Sequence, residues 1–240
     1  MSDAAPDAGP RTRHVVLEFA AVCMPGEAAI TSLPAVELVL TAGSLSLIDV
    51  ADWRQAMLLA GAAVGLIAPR SGHVSFLGRD WASLPSVYAC ALRGRIGHVF
   101  RTGNWIDSLT MLDNILLPHA YHTRRAAAEM SAEAARLATA LGLPGVPTGY
   151  PSELSAADRQ RSACVRAFLG RPALVILEEP LQGLPTESKA ALINLIRRAR
   201  DRDAAVVWLT DDRGIWTDLG FPASCRYRLR DTLYRIGGDV

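Results

Sequence analysis

The chain has 240 residues, half of them apolar, and 25 basic against 24 acidic side chains leave a net charge of +1. This length can bury the core of one α/β domain, or of one domain with an attached lobe. Because there is no basic excess, the composition excludes wholesale nucleic-acid binding as the basis of function.

The remaining composition predicts an intracellular setting. Residues 1–13 mix Asp, Pro, Ala and Gly without an apolar stretch, so we expect a disordered tail and not a signal peptide. The longest apolar run, 56–68, is shorter than the ~20 residues of a membrane-spanning helix, and we expect a buried helix there. Four scattered cysteines without a C-x-x-C pair argue against a zinc site or a disulfide framework.

The first third of the chain predicts an antiparallel sheet that leads into a central strand. Residues 15–23, 36–41 and 44–50 are β-branched or alternating runs separated by turn-forming residues. A helix should follow, because Asp52 stands at an N-cap position and Gln55, three residues later, completes a capping box.

The rest of the chain alternates between strands and helices. Short strands are expected at 74–77, 78–81, 96–100, 174–177 and 205–210. Helices are expected within 101–150, above all at 123–141, and at 156–169 and 187–202. Ser155 should cap the helix at 156–169. Strands that alternate with helices predict a mainly parallel sheet covered on both faces, so the fold class is α/β.

One stretch carries a specific motif. Residues 151–161 read P-S-E-L-S-A-A-D-R-Q-R, the helix continues through V-R-A, and the strand at 174–177 ends in E-E-P. This resembles the nucleotide-binding domain of ABC transporters, whose pattern is L-S-G-G-Q-x-Q-R, a helix ending in A-R-A, and a strand ending in D-E-P. The 24 residues from Leu154 to Glu178 reproduce the family spacing without a gap.

The resemblance covers roughly 14–215 and implies both a fold and a function. The fold would be a P-loop NTPase-like ABC domain over 14–240, with an antiparallel β subdomain, a mainly parallel core sheet and a helical lobe at about 102–165. The ligands would be ATP and magnesium. The partners would be a second ABC ATPase subunit, in a homo- or heterodimer, and a transmembrane permease. The subunit would then lie on the cytoplasmic face of the inner membrane.

The phosphate-binding loop of that family, G-x-x-x-x-G-K-S, is degenerate in this chain. Its glycines adopt positive φ so that backbone N–H groups wrap the phosphates, and its lysine neutralises them. Counted back from Pro69, the four positions hold Val50, Gln55, Ala56 and Met57. Alanine supplies no charge and methionine has no hydroxyl for magnesium. The single lysine of the chain, Lys189, lies far from this loop.

The other nucleotide-contacting positions are partly retained. Glu178 replaces the aspartate that positions magnesium and is the one candidate metal ligand, whereas Glu179 matches the general-base glutamate. Arg101 stands at the Q-loop glutamine, and Asp211 stands at the switch histidine.

The signature motif has the same mixed character. Its positions hold Leu154, Ser155, Ala156, Ala157 and Asp158. The serine is retained at a helix N-terminus, which favours an anion. The two alanines replace glycines that approach the γ-phosphate of ATP on the opposite subunit, and the aspartate replaces a glutamine.

These replacements predict weak ATP binding on electrostatic grounds. Four carboxylates should face the phosphate pocket: Asp52, Glu178, Glu179 and Asp211. Charges ~4 Å apart interact by ~4 kcal/mol at an effective dielectric of ~20. One hypothesis is that Arg54 or Arg101 pairs with Glu178 or Glu179 in place of the phosphates. The alternative is that both arginines are exposed to solvent.

Residues 100–122 resemble the coupling region of ATPases that serve MCE (Mla-type) lipid transporters, although amino-acid importers and lipoprotein exporters have similar segments. By this resemblance a permease would dock near Trp105 and Ile106. The favoured function is a structural or regulatory ABC subunit, lipid-related and impaired in ATP binding and hydrolysis. The alternatives are an active ATPase with a divergent site and a soluble ABC-like interaction protein.

Two further patterns, a pair of histidines and a cluster of arginines, give weaker indications of function. His119 and His122 are three residues apart on a predicted helix, but no third metal ligand is evident. The arginines at 197, 198, 200 and 202 are expected to form a solvated helix face.

Overall fold

A computed structural model describes residues 14–25, 33 and 35–236. The strands are β1 (Val15–Cys23), β2 (Val36–Thr41), β3 (Leu45–Val50), β4 (Ser71–Phe76), β5 (Arg79–Asp80), β6 (Ile96–Val99), β7 (Leu174–Glu178), β8 (Ala205–Thr210), β9 (Cys225–Leu229) and β10 (Leu233–Ile236). The helices are α1 (Trp53–Ala63), α2 (Ser86–Arg93), α3 (Met111–His122), α4 (Ala127–Ala140), α5 (Ala156–Phe168), α6 (Ser188–Arg200) and α7 (Arg213–Thr217). The tail predicted at 1–13 lies outside the described residues.

The strands form two sheets. Four of them make an antiparallel sheet in the order β2-β1-β4-β5, and six make a second sheet in the order β10-β9-β3-β8-β7-β6. All neighbours in the second sheet are parallel except β10 and β9. The predicted fold class, with an antiparallel subdomain, a mainly parallel core sheet and helices, is therefore confirmed.

Two hydrophobic cores cover the two faces of the six-stranded sheet. The first packs the antiparallel sheet and α1 against it and contains Phe19 and Phe76. The second packs α3 to α6 against the other face and contains Trp208. Because both faces are covered, β7 is buried along its whole length, including the carboxylate-bearing Glu178. No helix in the described ranges is long and apolar enough to cross a membrane.

Local capping fixes where the functional helices begin. The side chain of Asp52 accepts a hydrogen bond from the N–H of Arg54, 2.9 Å away, and α1 starts at the residue between them, Trp53. The predicted capping box is wrong, because the cap bond goes to Arg54 and Gln55 is buried instead of reaching back. The predicted cap of α5 is confirmed: Ser155 Oγ accepts from the N–H of Asp158.

Several sequence predictions need correction. The helix expected from 123 begins only at Ala127, because Thr123 ends α3 by donating its hydroxyl to the His119 carbonyl. The strand expected at 78–81 shortens to Arg79–Asp80. Helices α2 and α7 and strands β9 and β10 occur in the structure but were not predicted.

Helix α5 packs very closely on β6, and a glycine makes this possible. A Cβ atom added at the buried Gly97 would lie 1.8 Å from the carbonyl oxygen of Ala167 on α5. Backbone atoms cannot move away as a flexible side chain could, so the helix would have to shift.

We therefore expect Gly97→Ala to lower the free energy of unfolding by about 2–3 kcal/mol through overpacking. Urea denaturation followed by circular dichroism measures the change. Gly145→Ala is the matched control, since its added Cβ meets nothing within 4 Å. Equal stability of the two variants would contradict the close contact.

Candidate functional site

The sequence-predicted site residues meet at one edge of the six-stranded sheet. Parallel strands end at the same edge, and ligands of open α/β sheets bind outside these carboxyl ends. Glu179 follows β7, Asp211 follows β8, Arg101 lies two residues after β6, and Trp53 follows β3 at the start of α1. The edge therefore brings together the general-base, switch and Q-loop positions.

The phosphate-loop positions do not form a loop. Val50 is the last residue of β3, and α1 already begins at Trp53, so Gln55, Ala56 and Met57 are helical. None of residues 50–57, all of them described, has a positive φ. Gln55 and Ala56 are buried, and Met57 is 62% exposed. A helix thus occupies the positions where backbone N–H groups would wrap a phosphate.

Glu178 is engaged inside the protein. Its Oε1 lies 2.7 Å from Nε2 of His98, and its Oε2 accepts from the backbone N–H of Arg101 at 3.2 Å. The His98 ring stacks on Phe100 with 3.8 Å between centroids. Both carboxylate oxygens therefore have partners, and the side chain is 7% exposed. A metal ion at Oε1 would therefore compete with the histidine for this carboxylate.

Glu179 is held against the end of β8. Its Oε1 accepts from the N–H of Asp211 at 2.6 Å, and its carbonyl accepts from the amide of Gln160 at 3.2 Å. Its backbone has φ of 43°, a region that non-glycine residues seldom adopt and that surrounding contacts must stabilise. Burial raises the pKa of its carboxyl, and the hydrogen bond from Asp211 opposes that rise.

Trp53 links three of these elements. Its indole Nε1 donates to Oδ2 of Asp211 at 2.6 Å, which ties the start of α1 to the end of β8. The guanidinium of Arg101 lies over the same indole, 4.8 Å from the ring centroid. The Trp53 side chain thus lies beside Asp211, and Trp53 itself is one of the residues between the two glycine positions of the phosphate loop, Val50 and Gln55.

The hypothesis that Arg54 or Arg101 pairs with Glu178 or Glu179 is wrong: the ion pairs of the described residues include neither contact. Arg54 pairs with Asp52 at 2.8 Å, and Arg101 lies over Trp53. The hydrogen bond to Arg54 is the main reason that the pKa of Asp52 is lowered. The partner of Glu178 is His98, which the sequence analysis did not single out. The contact between His98 and Glu178 could have been predicted if the strand order had been known. Strand β6 is next to β7 in the sheet, and this places His98 diagonally opposite Glu178.

The signature positions lie at the N-terminus of α5. Ser155 is exposed, but its hydroxyl donates to Oδ2 of Asp158 at 2.8 Å and accepts from the N–H of the same residue. Leu154 packs against the core of the helical lobe. Ala156 and Ala157 form the first turn of the helix. The carboxylate of Asp158, which also pairs with Arg161 at 3.0 Å, therefore occupies the first turn where the helix N-terminus would favour a phosphate.

As arranged, these residues do not fit a magnesium-bound triphosphate. Residues 50–57 form no loop of N–H groups around a phosphate and include no lysine. Glu178 already accepts contacts from His98 and from the N–H of Arg101. In the described part of the chain, no group of three or more His, Cys, Asp or Glu side chains could hold a metal ion. His119 and His122 thus gain no third ligand there.

The architecture and the motif order define an ABC-type nucleotide-binding cassette. The sequence profile of the family described as "ABC transporter" matches residues 58–182, just over half of the chain, and the chain belongs to that family. The matched stretch begins at Leu58, one residue after Met57, so it leaves out the four degenerate phosphate-loop positions.

Curated relatives agree with this assignment. The macrolide export ATP-binding/permease protein MacB of Rhodopirellula baltica is 31% identical over 175 residues, which cover 72% of this chain and 25% of that protein. The methionine import ATP-binding protein MetN of Mesorhizobium japonicum is 35% identical over 133 residues, which cover 55% of this chain and 36% of that protein. The chain spans well under two thirds of the length of these relatives.

Solved structures share the fold. A dimeric bacterial ABC transporter cassette superposes with a TM-score of 0.79 at 20% identity, over 93% of this chain and 100% of that one. The same cassette has been solved in a post-hydrolysis state bound to ADP and Pi, with a TM-score of 0.78 and the same identity and coverage.

The buried pair of His98 and Glu178 can be tested by stability. We expect His98→Leu to cost about 3 kcal/mol, because it leaves a buried carboxylate without its main partner. Adding Glu178→Leu to that variant should recover most of the loss. Urea denaturation at neutral pH measures each free energy of unfolding.

The control is His73→Leu, since His73 lies 2.8 Å from Asp80 in a pair whose histidine side chain is 75% exposed. That change should cost less than about 0.5 kcal/mol, as exposed pairs usually do. Equal losses for the two histidines would show that Glu178 does not depend on His98.

Proposed function

We propose that this chain is the ABC-type ATP-binding subunit of a membrane transport complex in which its own nucleotide site is impaired or inactive. The observation that carries the proposal is the start of α1 at Trp53, with the indole bonded to Asp211. To hold a triphosphate there, the chain would have to unwind the first turn of α1 and break this bond. Its role in the complex is then structural or regulatory.

Membership of the ABC transporter family supports the proposed partners. A cassette of this type works with a second ABC ATPase subunit and a transmembrane permease on the cytoplasmic side of the inner membrane, and not with nucleic acid. A homodimer of this chain would have two impaired sites. A heterodimer with an intact ATPase would keep one complete phosphate loop, which would face Ser155 and Asp158 of this chain.

The permease contact and the transported class belong to the same proposal. Ile106 is 43% exposed, whereas Trp105 lies under the guanidinium of Arg166, 4.2 Å from its ring centroid. Arg166 also donates to the carbonyl of Asn104. These contacts attach the segment to α5 and leave Ile106 at the surface, and its likeness to MCE-type ATPases favours a lipid-related cargo. The proposed domain bounds are those of the sequence prediction: an ABC-type domain at 14–240, with its helical lobe at about 102–165.

An active ATPase with a divergent site is the second candidate. Glu179 favours it, because the carboxyl is retained at the general-base position and burial raises its pKa, which would make it a better proton acceptor. The two candidates differ in whether the isolated chain binds Mg-ATP.

Calorimetric titration of the purified chain with Mg-ATP should give no binding in the micromolar range. The physical reason is the missing N–H cradle and lysine charge, each of which normally contributes to phosphate affinity. An ABC cassette with an intact phosphate loop is the positive control, and circular dichroism verifies that the chain is folded. If the chain binds Mg-ATP with micromolar affinity, the proposal of an impaired nucleotide site is contradicted and the active ATPase is supported.

The variant Glu179→Gln should leave transport by the assembled complex unchanged, because this subunit performs no hydrolysis. The measurement is cargo transfer by the complex reconstituted in vesicles. The matched control changes the corresponding glutamate of the partner ATPase and should abolish transfer. If Glu179→Gln alone stops transport, this subunit hydrolyses ATP.

A further inference from the structure

The opposite edge of the six-stranded sheet, where the parallel strands begin, carries a cavity. Its volume is about 730 Å3, within the ~300–1,000 Å3 range of small-molecule sites. The charged side chains in its wall are Arg95, Arg125, Arg136, Arg171, Arg202 and Glu133. None of the residues at the carboxyl edge of the sheet contributes to it.

The sequence builds half of this wall by placing an arginine before each of three strands. Arg95 directly precedes β6, Arg171 lies three residues before β7, and Arg202 lies three residues before β8. These strands are neighbours in the sheet, and parallel neighbours are only ~4.8 Å apart. The carbonyl of Arg95 accepts from the N–H of Ala173, which fixes two of these segments side by side. Three guanidinium groups therefore converge at one edge.

The helical lobe supplies the other half. Glu133 and Arg136 are three residues apart on α4 and lie on one face of that helix. The carboxylate of Glu133 bridges the lobe and the core, because Oε2 pairs with Arg125 at 2.7 Å and Oε1 accepts from the N–H of Gly170 at 3.1 Å. His119 lies in the wall as well, and burial lowers its pKa, with the nearby Arg125 as a second cause.

The charge of this wall is strongly unbalanced. Five guanidinium groups and one carboxylate give a formal charge of +4, whereas the whole chain carries +1. Within the described ranges, only Arg125 of the five has a carboxylate within ion-pair distance. The other four are exposed to solvent and line the same open space, so they add positive charge around it without a carboxylate partner. An anion that enters would balance this positive charge, and guanidinium groups bind phosphate in a bidentate, geometrically specific way.

We infer that this cavity binds an anion that carries two or more phosphate groups. The inference does not rest on the proposed function, because the cavity and the nucleotide edge are separated by the length of the strands, ~16 Å for five residues. A ligand held by Arg95 and Arg171 of the core and by Arg136 of α4 would fix the helical lobe to the core. The cavity would thus act as a regulatory site on lobe movement.

The test uses the full chain, with inorganic tripolyphosphate as the probe in calorimetric titration. The double variant Arg136→Gln/Arg171→Gln should weaken binding by about 100-fold, roughly tenfold for each charge-assisted hydrogen-bonding group that is removed. The matched control is Arg197→Gln/Arg198→Gln, which removes the same charge from exposed positions of α6 outside the cavity. It should change the affinity less than about threefold, since screened surface charges act weakly.

A second variant reverses the sign of the effect. Glu133→Gln removes the one carboxylate of the wall and releases Arg125 for the ligand, so we expect about tenfold tighter binding. Loss of folding cannot imitate a gain in affinity. Unchanged or weaker binding in this variant would argue against a ligand inside the cavity.

A parallel arm distinguishes a soluble ligand from a lipid headgroup. Phosphatidylcholine vesicles containing cardiolipin, whose headgroup carries two phosphate groups, are sedimented with the wild type and with both double variants. Loss of vesicle binding in the cavity variant alone assigns the site to a membrane phosphate, and the same loss for tripolyphosphate assigns it to a soluble one. If neither probe binds, or if both double variants lose binding equally, the inference is overturned.

Discussion

The buried contact between Glu178 and His98 determines what the carboxyl edge of the sheet can do. A carboxylate placed at the end of a fully buried strand must have a hydrogen-bonding partner, because its desolvation is otherwise very costly. In this chain that partner is a ring of the neighbouring strand, 2.7 Å away, shielded by Phe100. A metal ion at this edge would have to share the carboxylate with the contacts to His98 and to the N–H of Arg101, because Glu178 has no other solvent-facing surface of any size.

The two helix N-termini at the site show the same choice. A helix N-terminus attracts an anion through its unpaired N–H groups and its dipole. The carboxylate of Asp52 takes this place on α1 by accepting from the N–H of Arg54. On α5, Asp158 sits in the first turn and binds the hydroxyl of Ser155. The N-terminus of each helix is thus occupied by an aspartate side chain of the same chain. A phosphate would have to compete with that carboxylate, which is always nearby because it belongs to the protein.

Sequence reasoning succeeded where local pattern decides the structure. Apolar alternation located β1 and β2, a continuous apolar run located β8, and capping chemistry located the start of α5. It failed where the pattern is weak: α2 buries only Ala89, and charged residues alternate through β9. The site residues were placed by family spacing, but their partners were not, since His98 meets Glu178 only through strand order. Non-local pairing of this kind has no signature within a sequence window.

Helix α5 connects the two edges of the sheet. It begins at the signature positions, runs for 13 residues, ~20 Å at 1.5 Å per residue, and ends beside Gly170 in the wall of the basic cavity. Near its C-terminus Arg166 is half-buried, desolvation lowers its pKa to about 10, and it donates hydrogen bonds to the carbonyls of Gly103 and Asn104. A packed helix moves as a rigid body, because protein interiors do not deform continuously. Helix α5 therefore provides a continuous physical connection from the cavity to both Ser155 and the Trp105 segment.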